Sequence, residues 1–405
     1  MIRKIFFTLT TVVLVLAVFA GIVNATDMRE AAVVKANLAN VRAVASVANA
    51  TGASYAIDGG ELFAGRPGEW RKVQTPNEVI VGAVALDPAQ PGVVYIGAAN
   101  ELVVYRSTDR GQNWLSVPLT EQYVGGVTSL AVDSLNRTLY AGTDTAGVFR
   151  LRDVGSSMIA GGQQPLDEPV LQVATDSTGA GLVFVRTAMN LYRGENGGMS
   201  WSKVENLLSA PTALAIANRF PATVYVGTAD RGVLTSQDGT TWSLANDGLG
   251  MMPGNRLYVD ALTIDPAQLD VVYAAVSYLY GSTTVHHSPV GVTMSTNGGA
   301  SWSGLYPNTP AQIVSLIPVP GQTGAAFALT TTSRELLPVG KAPVITEPVV
   351  TVAAPASTVP VTSLAAWLIA ALAASALLYA VVTDAAQRRQ RPAPKALRPQ
   401  TVHNS

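Results

Sequence analysis

The sequence predicts an all-β chain folded as a seven-bladed β-propeller, with a C-terminal transmembrane α-helix after it. A phrase made of a β-branched strand ending in Asp or Asn, a turn, and a second strand with an aromatic and small residues recurs seven times. One aromatic per unit falls at Tyr55, Tyr95, Tyr140, Phe184, Tyr225, Tyr273 and Phe327, at spacings of 40, 45, 44, 41, 48 and 54 residues. That is the period of a propeller blade. Near the end, residues 363–382 run for twenty positions without a charge, enough to cross a hydrocarbon core.

The N-terminus opens with Arg3 and Lys4 before an apolar run from Ile5 to Val23, and Val23-Asn24-Ala25 offers a small-residue cleavage site. Residues 1–25 therefore read as an export signal peptide or as a retained signal anchor. A short extension, 26–40, leads into the repeats. The 405 residues contain no cysteine, which removes disulfides, thiolate metal sites and a cysteine nucleophile. Between residues 27 and 362 lie 26 acidic and 19 basic side chains, a net charge near −7. Nucleic acid is not expected as a partner.

The propeller spans 41–341. Its clearest units begin at Val81, Val127, Pro211 and Val259, and weaker ones at Val44, Leu171 and Val314. Within each unit, apolar and small residues alternate with a period near two and are broken by turn residues, as short strands require. A four-stranded blade cannot bury both faces alone, so seven stacked radially make the stable form. The first strand of each unit is expected innermost. The last unit lacks an evident fourth strand, and residues 31–36 are expected to supply it.

Five tryptophans, Trp70, Trp114, Trp201, Trp242 and Trp302, follow a polar turn containing glycine. The turns before four of them read Ser107-Thr108-Asp109-Arg110-Gly111-Gln112-Asn113, Gly194-Glu195-Asn196-Gly197-Gly198-Met199-Ser200, Ser236-Gln237-Asp238-Gly239-Thr240-Thr241 and Ser295-Thr296-Asn297-Gly298-Gly299-Ala300-Ser301. These resemble the Asp box of the bacterial neuraminidase-repeat superfamily, Ser-x-Asp-x-Gly-x-Thr-Trp, which includes sialidases, xyloglucan-type glycosidases, the sortilin luminal domain and photosystem II assembly factors. The resemblance implies a hairpin between third and fourth strands, in which Asp109, Asn196, Asp238 and Asn297 accept backbone N–H bonds and Trp114, Trp201, Trp242 and Trp302 pack at the blade edge. The role is structural. Asn replaces Asp at 196 and 297, the Trp242 copy is one residue short, and units three and seven have no box.

No catalytic constellation is expected. There is no Arg-Ile-Pro start motif, and no spacing singles out the arginine triad, tyrosine and carboxylates of a sialidase. The carboxylate pair of the xyloglucan-type enzymes lies between two propellers, and this chain has material for one. Asp87, Asp133, Asp176, Asn218 and Asp265 end five first strands and read as turn openers rather than a cation ring. His286 and His287 fall in a loop expected from Ser277 to Gly291, with no third ligand nearby in sequence, so neither a metal nor a cofactor is expected.

A binding surface remains, on the face opposite the boxes. Tyr123, Arg231, Arg256, Tyr258 and Tyr280 are its candidate anchors, because Tyr and Arg are the side chains that most often dominate interfaces. Long connections expected at Val154 to Pro169 and Ala245 to Val259 give room for specificity. The linker 342–362 is rich in Pro, Val, Ala and Thr, the span 363–382 follows, and the tail 383–405 carries Arg388, Arg389, Arg391, Lys395 and Arg398. Basic residues beside a span stay cytoplasmic, which places the propeller outside a cell membrane. The expected function is a non-enzymatic scaffold or assembly factor that binds a protein of a membrane complex, and the alternative is a glycan-binding or glycan-cleaving surface protein.

Overall fold

The computed structural model describes residues 38–341, apart from short stretches at 47–53, 67–68, 77–78, 179–180, 251–255, 282 and 310. The expected export segment, most of the extension 26–40, the linker, the span 363–382 and the basic tail lie outside the described residues. So do residues 31–36. No helix among the described residues is long and apolar enough to cross a membrane.

Seven antiparallel sheets follow one another along the chain, spanning 41–72, 81–118, 127–164, 172–203, 211–244, 256–307 and 313–340. Each is a meander in which consecutive strands pair, with four strands in the first six and three described in the last. First strands of neighbouring blades pack against one another, so they are innermost. At one end they enclose a cavity of about 330 Å³ whose walls include Val44, Val84, Leu130, Ile264 and Leu316.

Second strands are the most deeply buried. Val94–Ala98, Thr138–Thr143, Thr223–Thr228 and Ala325–Thr330 are buried at every residue. Both faces of such a strand meet a neighbouring blade, so burial is continuous instead of alternating. Outer strands such as Leu115–Pro118 and Ser200–Lys203 keep only partial cover. Glycine recurs in second strands because the next blade comes so close: a Cβ on Gly97 would lie 2.4 Å from Val127 Cγ1, and one on Gly227 2.6 Å from Val259 Cγ1.

The aromatic found once per unit explains how blades join. Tyr140 and Tyr225 are fully buried, and their hydroxyls donate across the blade boundary to Gly197 O (2.8 Å) and Gly298 O (3.0 Å), inside the next blade's tryptophan hairpin. Tyr55 makes the same reach to Arg110 O at 3.3 Å. Burial raises the ionisation of all these phenols, that of Tyr140 to about 12. Phe184 faces the short hairpin, where Trp242 meets it edge-on and a Cβ on Gly239 would come within 2.4 Å of Phe184 Cζ. A hydroxyl has no room there. Blade 3 lacks the hairpin, and Tyr95 instead donates to Asp153 Oδ2 at 2.8 Å, beside Arg106.

Closure joins blade 7 to blade 1. Leu38, Val41 and Trp70 pack with Ile317, Phe327 and Leu329, and Val41 N donates to Arg334 O at 3.0 Å.

Three connections differ from the sequence reading. Residues 154–169 are not one long loop, because Met158–Gln164 forms the fourth strand of blade 3. Nor is Ser277–Gly291 a loop. Gln268–Tyr280 and His286–Ser295 pair through Ser277↔Pro289 as far as Tyr280↔His286, leaving a turn of only 281–285. Pro289 obscures this strand in the sequence, yet on the fourth-strand side the pairing ends at Gly291 and the last bond is from Asn308 N to Val290 O, so among the described residues Pro289 has no neighbour there and is tolerated. Similarly, the connection after Ala245 ends at Arg256, where the first strand of blade 6 begins.

Candidate functional site

The ring has two chemically different ends. At the end bearing the tryptophan hairpins, many polar groups are taken up by turns, although the buried Trp242 indole N–H finds no hydrogen-bond partner among the described residues. Asp109 Oδ1 accepts from Gln112 N (3.0 Å) and Asn113 N (2.8 Å), and Ser107 Oγ accepts from Gly111 N at 2.7 Å. These bonds, those of Asn113 above all, hold the exposed Asp109 carboxyl down at about 2. Asp238 accepts from Thr240 N and Thr241 N at 2.8 Å, and Asn297 from Ser301 N at 2.9 Å. Trp114 and Trp302 donate their indole N–H to Gln74 O and Ala245 O. Asn196 does none of this among the described residues. Gly194 stands where its hairpin would need the Ser hydroxyl, and Asn196 takes φ +51° in a tighter turn closed by Glu195↔Ser200.

The strand-ending carboxylates are buried at the same end. Asp87 accepts from Ala89 N (2.9 Å) and from Ser134 Oγ of the next blade, Asp133 from Asn136 N (3.0 Å), and Asp265 from Ala267 N (2.8 Å) and Gly321 N of the next blade. They lock turns and tie blades together. No group of three His, Asp or Glu positioned to hold a metal occurs among the described residues.

At the opposite end, the mouth of the channel is built from bulges. In six inner strands the pairing skips one residue near the mouth: the second residue of the strand at Arg42, Gly82, Thr128, Thr212 and Val314, and the fifth, Asp260, in the longer strand of blade 6. A bulge frees one residue from the ladder and re-aims its side chain. Several of these side chains reach the neighbouring blade: Thr128 Oγ1 donates to Val170 O and Thr212 Oγ1 to Val259 O, both at 2.6 Å. Asp260 stands at the equivalent place and has no proton to give when ionised. It accepts instead, from Ser277 Oγ and from Gln312 Nε2 of blade 7, both at 2.5 Å. Blade 4 has no such bulge. Gln172 pairs directly with Arg186, and Gln172 Nε2 donates to Leu214 O at 2.7 Å.

Desolvation dominates the electrostatics here. It raises the Asp260 carboxyl to about 6 and lowers the Arg186 guanidinium to about 10, while Tyr258 is raised by burial and then by the Asp260 charge, against the pull of Arg186. A carboxyl whose folded value exceeds its unfolded one holds its proton more tightly when folded, so the protein loses stability as pH rises from about 4 to 6. Asp260→Asn is expected to remove that slope and to add on the order of 2 kcal/mol above pH 6, with little change near pH 4. Denaturant unfolding at pH 4.5 and 7.5 checks this, and an equal effect at both would contradict it.

Blade 6 rises above this mouth. Its three long strands carry Tyr258 against His287 edge-on (centroids 4.9 Å) and Tyr280 stacked on His286 (5.2 Å, 21°). Arg256 Nη2 donates to Gly281 O at 3.3 Å, and a parallel bridge joins Arg231 to Leu257 with Gly232 N donating to Leu257 O at 3.1 Å. Arg231, Arg256, Tyr258 and Tyr280 thus lie on one built-up sector at blades 5 and 6. Tyr123, 45% exposed on the connection between blades 2 and 3, belongs to another part of the rim. Arg186, Gln172, Asp260 and Gln312 are absent from the sequence-based site. For Asp260 a signal existed: the units VTSLAVD, PTALAIA and VDALTID align Asp260 with Thr128 and Thr212.

No family model matches the sequence, and no curated protein matches it. Solved structures do. A xyloglucanase of glycoside hydrolase family 74 from Xanthomonas campestris superposes with a TM-score of 0.56 at 18% identity, over 76% of this chain and 55% of that one. The family 74 enzyme of Niastella koreensis gives 0.54 at 16%, over 73% and 52%. The WD40 repeats of RRP9 give 0.53 at 10%, over 75% and 94%. The chain spans about half the length of the family 74 enzymes. At these identities the likeness establishes the propeller fold alone.

Proposed function

We propose that this chain is an Asp-box propeller held outside a cell membrane by residues 363–382, acting as a non-enzymatic scaffold or assembly factor that binds a protein partner of a membrane complex. The raised sector of blade 6 carries the reading: two aromatic–histidine pairs, flanked by Arg256 and Arg231, stand beside the channel mouth as a compact set of interface anchors. At the opposite end the Ser, Asp and Asn side chains of the hairpins at Asp109, Asp238 and Asn297 are committed to turns. A tether supports the same reading, because it raises the effective concentration of the ring for a membrane-bound partner.

The test is affinity purification of the tagged full-length chain from detergent-solubilised membranes. A defined protein partner is expected with the unaltered chain, and Arg231→Ala with Tyr258→Ala together are expected to reduce its recovery at least about tenfold. Unchanged recovery would move the interface elsewhere.

A glycan-cleaving reading has one observation in its favour, the Asp260 carboxyl held near 6 at the channel mouth, where a general acid would be useful. Glycoside hydrolysis needs a second carboxylate across the bond. Turnover of a glycoside panel that is lost in Asp260→Asn would establish that reading and displace the scaffold.

A further inference from the structure

Arg186 ends the second strand of blade 4 at the channel mouth, half-buried and held in place by Leu171 N donating to its carbonyl at 2.9 Å. Its guanidinium has five N–H donors to satisfy. Among the described residues no carboxylate pairs with it. Nε meets Gln172 Oε1 and Nη1 meets Pro211 O, both at 3.4 Å, long bonds to neutral oxygens. Gln172 cannot turn to serve it better, because its amide N–H is committed to Leu214 O at 2.7 Å. Asp260, on the same rim, does not pair with it: its two oxygens accept from Ser277 and Gln312. The result is a partly desolvated cation without an anion beside the ring of Tyr258, whose ionisation responds to its charge. Burying an unpaired charge costs stability, and such a cost persists where a ligand supplies the missing partner.

We propose that the channel mouth at blades 4, 5 and 6 is a carboxylate-binding site, in which the Arg186 guanidinium receives a carboxylate carried by the protein partner, with Tyr258 as its aromatic wall. This rests on the scaffold reading and names the chemistry that the partner presents. A carboxylate fits better than a phosphate-rich polymer, because a planar guanidinium matches it with two parallel bonds and the region from 27 to 362 carries a net charge near −7 that repels polyanions. An acidic side chain and a C-terminal carboxylate share this chemistry.

The test uses the full-length chain in detergent and three tripeptide probes: acetyl-Gly-Gly-Glu amide, acetyl-Gly-Gly-Gly with a free C-terminus, and acetyl-Gly-Gly-Gln amide. Titration calorimetry is expected to detect binding of one or both carboxylate probes, at least about tenfold tighter than the Gln probe, and the stronger of the two identifies the carboxylate source. Arg186→Met is expected to abolish that preference while melting no lower than the unaltered chain, since it removes an unpaired charge. Arg186→Lys keeps the charge but not the fork and should retain part of the preference. Equal binding of all three probes overturns the proposal, and so does a preference that survives Arg186→Met. An Arg186→Met chain that melts well below the original shows that the two long bonds are a structural brace, and this also overturns it. The two readings fail separately. If the partner is recovered equally well by Arg186→Met, the carboxylate site falls and the scaffold stands. If no partner is recovered while the probes still discriminate, the scaffold falls and a free small carboxylate becomes the ligand.

Discussion

Asp153→Ala is expected to lower the unfolding free energy by about 3–5 kcal/mol, because it strips a buried ion pair of one partner. Asp153 is 6% exposed and Arg106 7%. Its Oδ2 accepts from Arg106 Nε at 2.6 Å and from the Tyr95 hydroxyl at 2.8 Å, while Oδ1 accepts from Gly155 N at 2.7 Å and lies 3.5 Å from Arg137 Nη2. Removing the carboxylate leaves the Arg106 guanidinium buried with, among the described residues, only Gly155 O, at 2.8 Å, as a hydrogen-bond acceptor. The Tyr95 hydroxyl loses its acceptor as well. Its ionisation is raised strongly, first by burial and then by Asp153, so it stays a donor at any physiological pH. The double change Arg106→Met with Asp153→Leu is expected to cost less than Asp153→Ala, since no charge is then left alone. Urea unfolding of the two variants against the parent checks the order, and a double variant weaker than the single would contradict it.

Tyr225→Ala is expected to cost about 3–5 kcal/mol, as for other large buried aromatics cut back to Ala. Tyr225→Phe should cost about 1 kcal/mol, the worth of the bond to Gly298 O. The side chain is fully buried in the cluster that holds Val272, Ala274 and Trp302 of blade 6, so its loss opens a cavity between blades and removes support from the hairpin around Asn297. A near-zero cost for Tyr225→Ala would mean that neighbouring blades collapse together without it. The same measurements bear on how the repeat is written. Tyr55, Tyr140 and Tyr225 find a hairpin carbonyl of the next blade for their hydroxyl and Tyr95 the Asp153 carboxylate, whereas the Tyr273 hydroxyl accepts from Gly324 N of blade 7 at 3.0 Å. Phenylalanine appears at 184, where Gly239 closes the space.

Much of this architecture was legible in the residues. The seven aromatics mark seven blades because each is the fully or nearly buried member of a second strand, and burial forces both its size and its spacing. The Ser-x-Asp turns were legible because their bonds are local: Asp109 and Asp238 reach only two to four residues ahead. Asn196 shows the limit of such reading, since its turn keeps the glycines and tryptophan but lacks the hydroxyl at Gly194, and the backbone closes another way. The strand at His286–Ser295 was hidden by Pro289 and by its lack of alternation, and it is tolerable because, among the described residues, backbone bonding from the fourth-strand side stops at Val290.

What the sequence by itself determined was the repeat: its count, its inner strands and the turns whose partners lie within four residues. Its two apolar terminal segments were equally plain as sequence. Only the tertiary structure decided the channel mouth. Arg186, Gln172, Asp260 and Gln312 come from three blades and are separated by up to 140 positions, from 172 to 312. Whether such a charge is paired or left open depends on which blade stands beside which, and on bulges that turn single side chains out of their ladders. Local pattern cannot encode that, because the burial that raises Asp260 to about 6 and lowers Arg186 to about 10, like the lack of a carboxylate paired with Arg186 among the described residues, depends on how the blades are arranged.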